Sequence, residues 1–193
     1  FIYDNSYTDH KLLRLMEADG LEEIERNGWG DAGDYYTPGA AFGPSKCWPT
    51  EYFAELAGLC HKAFNAKIIL FSGPGEEHIT KAVLDQAKVE LIHAQGDEVD
   101  LEMLKPLVKR CNLCVTNDTG PRHYAVAFNV PTVVIMGSTD PRYTAANLDH
   151  TVVVRKELDC SPCHKKVCPR GHECMREIRP AEVFQAAEQL IGA

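Results

Sequence analysis

The residues best suited to chemistry lie in Val115-Thr-Asn-Asp-Thr-Gly-Pro-Arg-His-Tyr-Ala-Val-Ala127. An apolar run stops at Asn117-Asp118, turns through Thr119-Gly120 and enters a helix with Pro121 at its start. The opening turn of a helix leaves backbone N–H groups without partners, and the helix dipole adds positive potential there. Such a turn seats an anion, above all a phosphate. Gly120 admits the close backbone approach that a diphosphate needs. Thr119 adds a hydroxyl, and His123 follows one turn into the helix. Asp118 and Thr119 are equally at home as ordinary helix caps, so the turn alone leaves both readings open.

Two further turns carry complementary candidates. Lys46 ends the Gly/Pro-rich loop Pro38-Gly-Ala-Ala-Phe-Gly-Pro-Ser-Lys46, just before a helix. A lysine there is either a point charge for a phosphate or a solvated surface residue. Gly73-Pro-Gly-Glu76 follows a buried strand. A carboxylate in that place can accept both hydroxyls of a ribose, or simply be an acid favoured by the helix dipole. The pair of glycines lacks the third member of a dinucleotide fingerprint.

A third group is Cys160-x2-Cys163-x4-Cys168-x5-Cys174, in a stretch rich in Lys, Arg and His. Four thiolates suit a tetrahedral structural zinc ion, and His164 or His172 can replace one of them. The spacing is irregular for zinc and is not a ferredoxin repeat, so disulfides, free thiols and a redox role stay open. Cys111-x2-Cys114 spans a helix end and a strand start and reads as core packing. No nucleophile elbow or metalloprotease helix is present.

The elements that must position these turns alternate along the chain. Pro49 opens a helix with Phe53, Leu56, Ala57, Cys60 and Phe64 on one face. Lys67-Ile-Ile-Leu-Phe-Ser72 is a continuous apolar strand, the pattern of a sheet covered on both faces. A helix from Glu76 to Lys88, a short strand at Val89–His93 and a helix after Asp100, expected to kink at Pro106, come next. Strands at Leu113–Thr116, Thr132–Met136 and Thr151–Arg155, a helix at Pro121–Phe128 and a closing helix at Pro180–Ile191 complete the series. Such alternation predicts an α/β fold with a parallel sheet wound on both sides, and its ligands bind at the carboxyl ends of the strands. All three glycine-bearing turns then face one crevice. Residues 1–36 lack this rhythm: an acidic, Gly-bearing, poorly periodic stretch runs up to Tyr36 and reads as a linker or the tail of something else.

Composition bounds the rest. The chain has 193 residues, 45% of them apolar, enough for one good-sized core. No run approaches the roughly 18 apolar residues of a membrane span. A formal charge of −8 excludes a general nucleic-acid surface, so an anionic ligand needs local positive groups. The chain starts at Phe1 and shows no signal peptide. Eight cysteines, four of them crowded together, suit metal binding in a cytosolic protein better than disulfides.

Taken in order, Pro38-Gly-Ala-Ala-Phe-Gly-Pro-Ser-Lys-Cys-Trp-Pro49, Asn117-Asp-Thr-Gly-Pro-Arg-His123 and Gly137-Ser-Thr-Asp-Pro141 resemble glycosyltransferase family 9. This is the ADP-heptose:lipopolysaccharide heptosyltransferase family, and the likeness is greatest to its heptosyltransferase II branch. It covers roughly residues 37–193, and the Cys160–Cys174 segment resembles a loop found in part of that family. The resemblance implies a GT-B fold, two Rossmann-like domains facing a cleft. Residues 37–193 would be the C-terminal nucleotide-sugar-binding domain, and residues 1–36 a remnant of the N-terminal acceptor domain and its linker.

Carried over by motif, Lys46 resembles the lysine on the diphosphate and Glu76 the ribose carboxylate. Thr119 and Gly120 resemble the phosphate donors, and Val99 would sit near the adenine. Asp118, the one catalytic candidate in the chain, would face the sugar or order the turn, and His123 would touch the ligand or support the turn. The implied reaction moves heptose from an ADP-sugar donor to a lipopolysaccharide core acceptor with inversion, and needs no cofactor for catalysis. A general base takes the acceptor proton, and Lys46 with the helix N-terminus would stabilise the leaving diphosphate. In the family that base lies near the start of the acceptor domain, which this chain is expected to lack. The same resemblance implies no nucleic-acid partner and a cytoplasmic enzyme, peripheral at the inner face of the inner membrane. Another nucleotide sugar, or a zinc-binding module without turnover, are the alternatives.

Overall fold

The computed structural model describes residues 34–40, 42–73, 75–94, 101–144 and 148–192. The runs of apolar residues become a parallel six-stranded sheet: β1 (Asp34–Thr37), β2 (Ile68–Phe71), β3 (Leu91–Ala94), β4 (Leu113–Asn117), β5 (Thr132–Ile135) and β6 (Thr151–Val154). Its spatial order is β3-β2-β1-β4-β5-β6, the doubly wound Rossmann order. The expected α/β, Rossmann-like class is what the structure shows.

One expectation is corrected. The break drawn between residues 36 and 37 falls inside β1, the strand that pairs with both β2 and β4. Tyr35 lies opposite Ile69 on one side and Cys114 on the other. Residues 34–36 therefore belong to the centre of the sheet, not to a linker. Residues 1–33 lie outside the described residues.

Strand alternation divides the core. Ile68 and Leu70 face one side with Leu113, Val115, Val133 and Ile135, while Ile69, Phe71 and Cys114 face the other. The first side is covered by α1 (Thr50–Phe64), α2 (Glu77–Gln86) and, beyond the short α5 (Glu173–Arg176), the closing α6 (Pro180–Ile191). On the second side lie α3 (Leu101–Arg110) and α4 (Gly120–Ala127). The helix α3 runs through Pro106 to Arg110. Cys111 and Cys114 both sit in this second layer, as core residues.

Trp48 anchors the first layer. It is 1% exposed, packs edge-on against Tyr52 and Phe53, and donates its indole N–H to the Ile178 carbonyl at 2.9 Å. The indole thus ties the start of α1 to the segment ahead of α6. No helix among the described residues is long and apolar enough to cross a membrane.

Strand β1 gives a direct check. Tyr35→Pro removes a ladder donor from a strand flanked on both sides. It should lower unfolding free energy by about 1–3 kcal/mol, the cost of a buried group left without its partner. Denaturant melts of the two chains measure it, and an unchanged midpoint would place these residues outside the sheet.

Candidate functional site

The sheet order reverses between β1 and β4, so the loops leaving those two strands run in opposite directions and open a crevice. The loop after β1 carries Lys46, the turn after β2 carries Glu76, and the turn after β4 carries Asp118, Thr119 and Gly120. The three turns expected to converge do leave neighbouring strands at one edge of the sheet.

Asn117, the last residue of β4, ties the loop after β1 in place. It is 0% exposed; its amide donates to the Pro38 carbonyl at 2.8 Å, and its Oδ1 accepts the Trp48 N–H at 3.1 Å. Below it, the Thr37 hydroxyl donates to that of Thr116, which joins β1 to β4 at the level of the turn. These polar groups are buried but paired, the condition under which burial is tolerated.

Asp118 is the centre of the site. Its Oδ2 accepts from Lys46 Nζ at 2.7 Å and from the Thr139 hydroxyl at 2.8 Å. Its Oδ1 accepts from Arg122 at 2.9 Å. Lys46 also donates to the Asp118 main-chain carbonyl at 3.0 Å. Burial alone would raise the Asp118 pKa. The hydrogen bonds from Lys46 and Thr139 and the charges of Lys46 and Arg122 outweigh it and hold the carboxyl below its ordinary value of 3.8. A carboxylate held this way orders the turn, and it is a poor proton acceptor at neutral pH. Of the two roles left open for Asp118, the geometry favours support of the turn.

Arg122 adds a second cation to the turn. It is 1% exposed, and besides Asp118 it donates to the Thr144 hydroxyl at 2.6 Å and the Thr144 carbonyl at 2.9 Å. It thus links the turn to the 3-10 segment Pro141–Thr144. Thr139 and Arg122 escaped the sequence reading because both act through tertiary contacts that no spacing reveals.

Lys46 lies in the 3-10 turn Pro44–Lys46, its ammonium 4.9 Å from the centre of the Phe42 ring. Two of its three N–H directions serve Asp118, which leaves one for a ligand. Glu76 folds back over its own turn and accepts the Gly73 N–H at 3.1 Å. Its carboxylate lies against Gly39, where a Cβ would stand 2.0 Å from Glu76 Oε2, so a side chain at 39 would displace the carboxylate from this place. Cys47 shares this space: burial, and then the charge of Glu76, push its thiol up to about 11, a neutral form at working pH.

Thr119 caps α4 without a side-chain bond to the first turn, so the opening amides keep no such partner. Above Gly120 a Cβ would meet nothing within 4 Å, which leaves the seat open. His123 stands on the exposed side of α4; desolvation of its ring and the charge of Arg122 push its pKa below the ordinary 6.5. Val99 lies outside the described residues.

The four clustered cysteines adjoin this crevice at Ser45 and Ser138, the residues before Lys46 and Thr139. All four line a single cavity of about 220 Å³ with Ser45, Ser138 and His172. The eight thiols of the chain are free, and among the described residues no three His, Cys, Asp or Glu groups converge as ion ligands.

The model of glycosyltransferase family 9 (heptosyltransferase) matches residues 26–173. Lipooligosaccharide heptosyltransferase 2 of Campylobacter jejuni is 31% identical over 158 residues, which is 80% of this chain and 49% of that relative. Among solved structures, E. coli ADP-heptose lps heptosyltransferase II superposes with a TM-score of 0.75 at 24% identity, over 91% of this chain and 51% of its own. An E. coli heptosyltransferase with ADP-2-deoxy-2-fluoro heptose superposes at 0.61 and 21% identity, over 82% and 44%. The two structures share the fold, and the chain spans about half the length of the curated relatives it matches.

Two outcomes test the Asp118 network. Arg122→Met strips one partner from a buried carboxylate and should cost about 3 kcal/mol by chemical denaturation. Because the folded pKa of Asp118 is depressed, its contribution is full above 3.8 and disappears as pH falls through the lower folded value. Stability profiles of the native chain should drop in that acid window, and Asp118→Asn should flatten the drop.

Proposed function

The chain belongs to glycosyltransferase family 9, the heptosyltransferase family, and from that membership we propose that it is the donor-binding half of an inverting transferase. The donor is ADP-heptose and the acceptor a sugar hydroxyl of a lipopolysaccharide core. Support comes from its relatives, a lipooligosaccharide heptosyltransferase 2 and an ADP-heptose lps heptosyltransferase II.

The single observation that carries the reading is the pairing of Lys46 with the open first turn of α4 through Asp118. The diphosphate of the donor would rest over Gly120, against the uncapped amides and the remaining Lys46 donor. As the glycosidic bond to the diphosphate breaks, negative charge grows on the phosphate oxygens. Lys46 and the helix N-terminus meet that charge without having to reorganise, since Asp118 already fixes both. Glu76, at the end of the neighbouring β2, would accept the ribose hydroxyls, and Val99 would flank the adenine.

Asp118 would not act as the base. Its oxygens already accept three side-chain donors, and its pKa is lowered. The proton of the acceptor hydroxyl would go to a carboxylate of the acceptor domain, the other half of the GT-B fold. The enzyme would work in the cytoplasm, peripheral at the inner face of the inner membrane where its lipid-linked acceptor is built.

Calorimetry with ADP tests the site. Lys46→Ala should weaken ADP about ten- to hundredfold, the value of one charge-assisted hydrogen bond. A Cβ on Gly120 meets nothing within 4 Å, so Gly120→Ala should melt like the native chain yet bind ADP more weakly. A clear preference for UDP or GDP would overturn the ADP assignment, and no binding of any nucleotide would sink the site.

A further inference from the structure

Exposed apolar side chains are not spread evenly over this chain. Among the described residues four large ones are exposed: Phe42, Tyr143, Val167 and Ile191. The first three lie on loops that leave the carboxyl ends of β1, β5 and β6, around the crevice. Tyr143 is the most open of them, at 79%. Exposed apolar groups gathered at one end of a sheet mark a surface that meets something.

Tyr143 is exposed but not loose. Its N–H donates to the Asp140 carbonyl at 3.2 Å, which closes the 3-10 segment Pro141–Thr144. Both ends of its arc are bound to the same carboxylate. Thr139 donates to Asp118 directly, and Thr144 is held by Arg122, which donates to Asp118. The neighbouring Arg142 is clamped on Asp140 through its main-chain N–H and its guanidinium. The Tyr143 ring is therefore carried on the braced wall of the crevice.

His164 comes to the same place from the loop after β6. Its ring lies 5.6 Å from that of Tyr143 at 68°, an edge-to-face pair. Its backbone has a φ of 54°, a region that a residue with a side chain keeps only when its surroundings hold it there. The hold is visible: the His164 N–H donates to the Ser138 carbonyl at 2.8 Å. Such a contact engages at most one face of the Tyr143 ring and leaves the other bare. Nearby, the stretch 160–172 carries Lys165, Lys166 and Arg170, all exposed, and no acid. This is a local excess of three positive charges in a chain of −8.

A bare, braced aromatic face suits a sugar ring. The C–H groups on one side of a pyranose are weakly positive and meet the negative face of the aromatic ring. Tyrosine does this at small entropic cost, since only two side-chain torsions must be fixed. The cations narrow the choice further. The diphosphate of the proposed donor would be met by Lys46 and α4, and the heptose beyond it is neutral. Three further cations on the rim call for acidic groups that the donor does not carry.

We propose that Tyr143, braced by His164, is a stacking platform for a sugar ring of the acceptor, and that this acceptor is an anionic saccharide whose acidic groups meet Lys165, Lys166 and Arg170. The assignment rests on the transferase reading only in calling the saccharide an acceptor.

The probe is a lipopolysaccharide core saccharide freed of its acyl chains, in a phosphorylated form and after removal of its phosphate. With the whole chain, saturating the aromatic protons of the protein should transfer magnetisation to the C–H protons of the phosphorylated saccharide. Tyr143→Phe should keep the transfer and Tyr143→Ala should abolish it. Trimming a side chain this exposed should leave the melting curve unchanged. Lys165→Gln should weaken the saccharide about two- to fivefold, and the native chain should bind the phosphate-free form more weakly. No transfer to either saccharide, or transfer untouched by Tyr143→Ala, overturns the platform. Equal affinity for the two saccharides overturns the anionic acceptor. Binding to phosphatidylglycerol vesicles that Tyr143→Ala removes, with no transfer to saccharide, makes the patch a membrane contact and overturns the proposal as well. ADP titration of the same chains reads the donor site separately. ADP binding without transfer sinks the platform alone, and transfer without ADP binding sinks the donor site alone.

Discussion

A single buried carboxylate governs this end of the molecule. Asp118 sits at the tip of β4 and collects a donor from each of three segments: Lys46 after β1, Arg122 in α4 and Thr139 after β5. An isolated carboxylate in such a place would be expensive to desolvate. Two cations and a hydroxyl offset that cost only while all of them stay in position. The loops around the crevice are thus bound to one another through one group. This matters because loops are otherwise the most mobile parts of a domain.

The sheet order explains why the carboxylate can do this. With β1 and β4 adjacent at the reversal, the chain leaving β1 crosses one face while the chain leaving β4 crosses the other. Their first residues past the sheet have no helix between them. Asn117 fills that gap by bonding back to the loop after β1 at Pro38 and receiving Trp48. Trp48 in turn bonds to Ile178, so the opening of the crevice is tied to the packing of α1 beside α6. Loss of shape in the helical layer would reach Lys46 through two hydrogen bonds.

Much of this was legible in the sequence, for identifiable reasons. Ile68–Phe71 and Thr132–Ile135 are apolar runs bounded by polar turns, and a strand buried on both faces leaves no other pattern. The turns with Lys46, Glu76 and Gly120 announced themselves through glycine and proline next to such strands. Strand β1 did not, because Asp34-Tyr-Tyr-Thr37 is short, mixed in polarity and preceded by acidic residues. Its place at the centre comes from what flanks it, not from its own composition. Arg122 was invisible for a related reason. On a helix the pattern of charge reads as a solvated face, and only the fold shows that Thr144 and Asp118 close over it.

The charge count at the crevice shows how an acidic chain can hold an anion. The whole chain carries −8, so no long-range field draws a diphosphate in. Locally, Lys46 and Arg122 against Asp118 leave a net positive charge of one, and the first turn of α4 adds its partial charge. Arg122 is too deeply buried to meet a ligand, so its charge mainly neutralises Asp118. In the proposed site that would free Lys46 to be shared between Asp118 and a phosphate. Without Arg122, the carboxylate would claim the lysine for itself. In that proposal, a buried residue out of reach of the ligand would set how much positive charge the ligand feels.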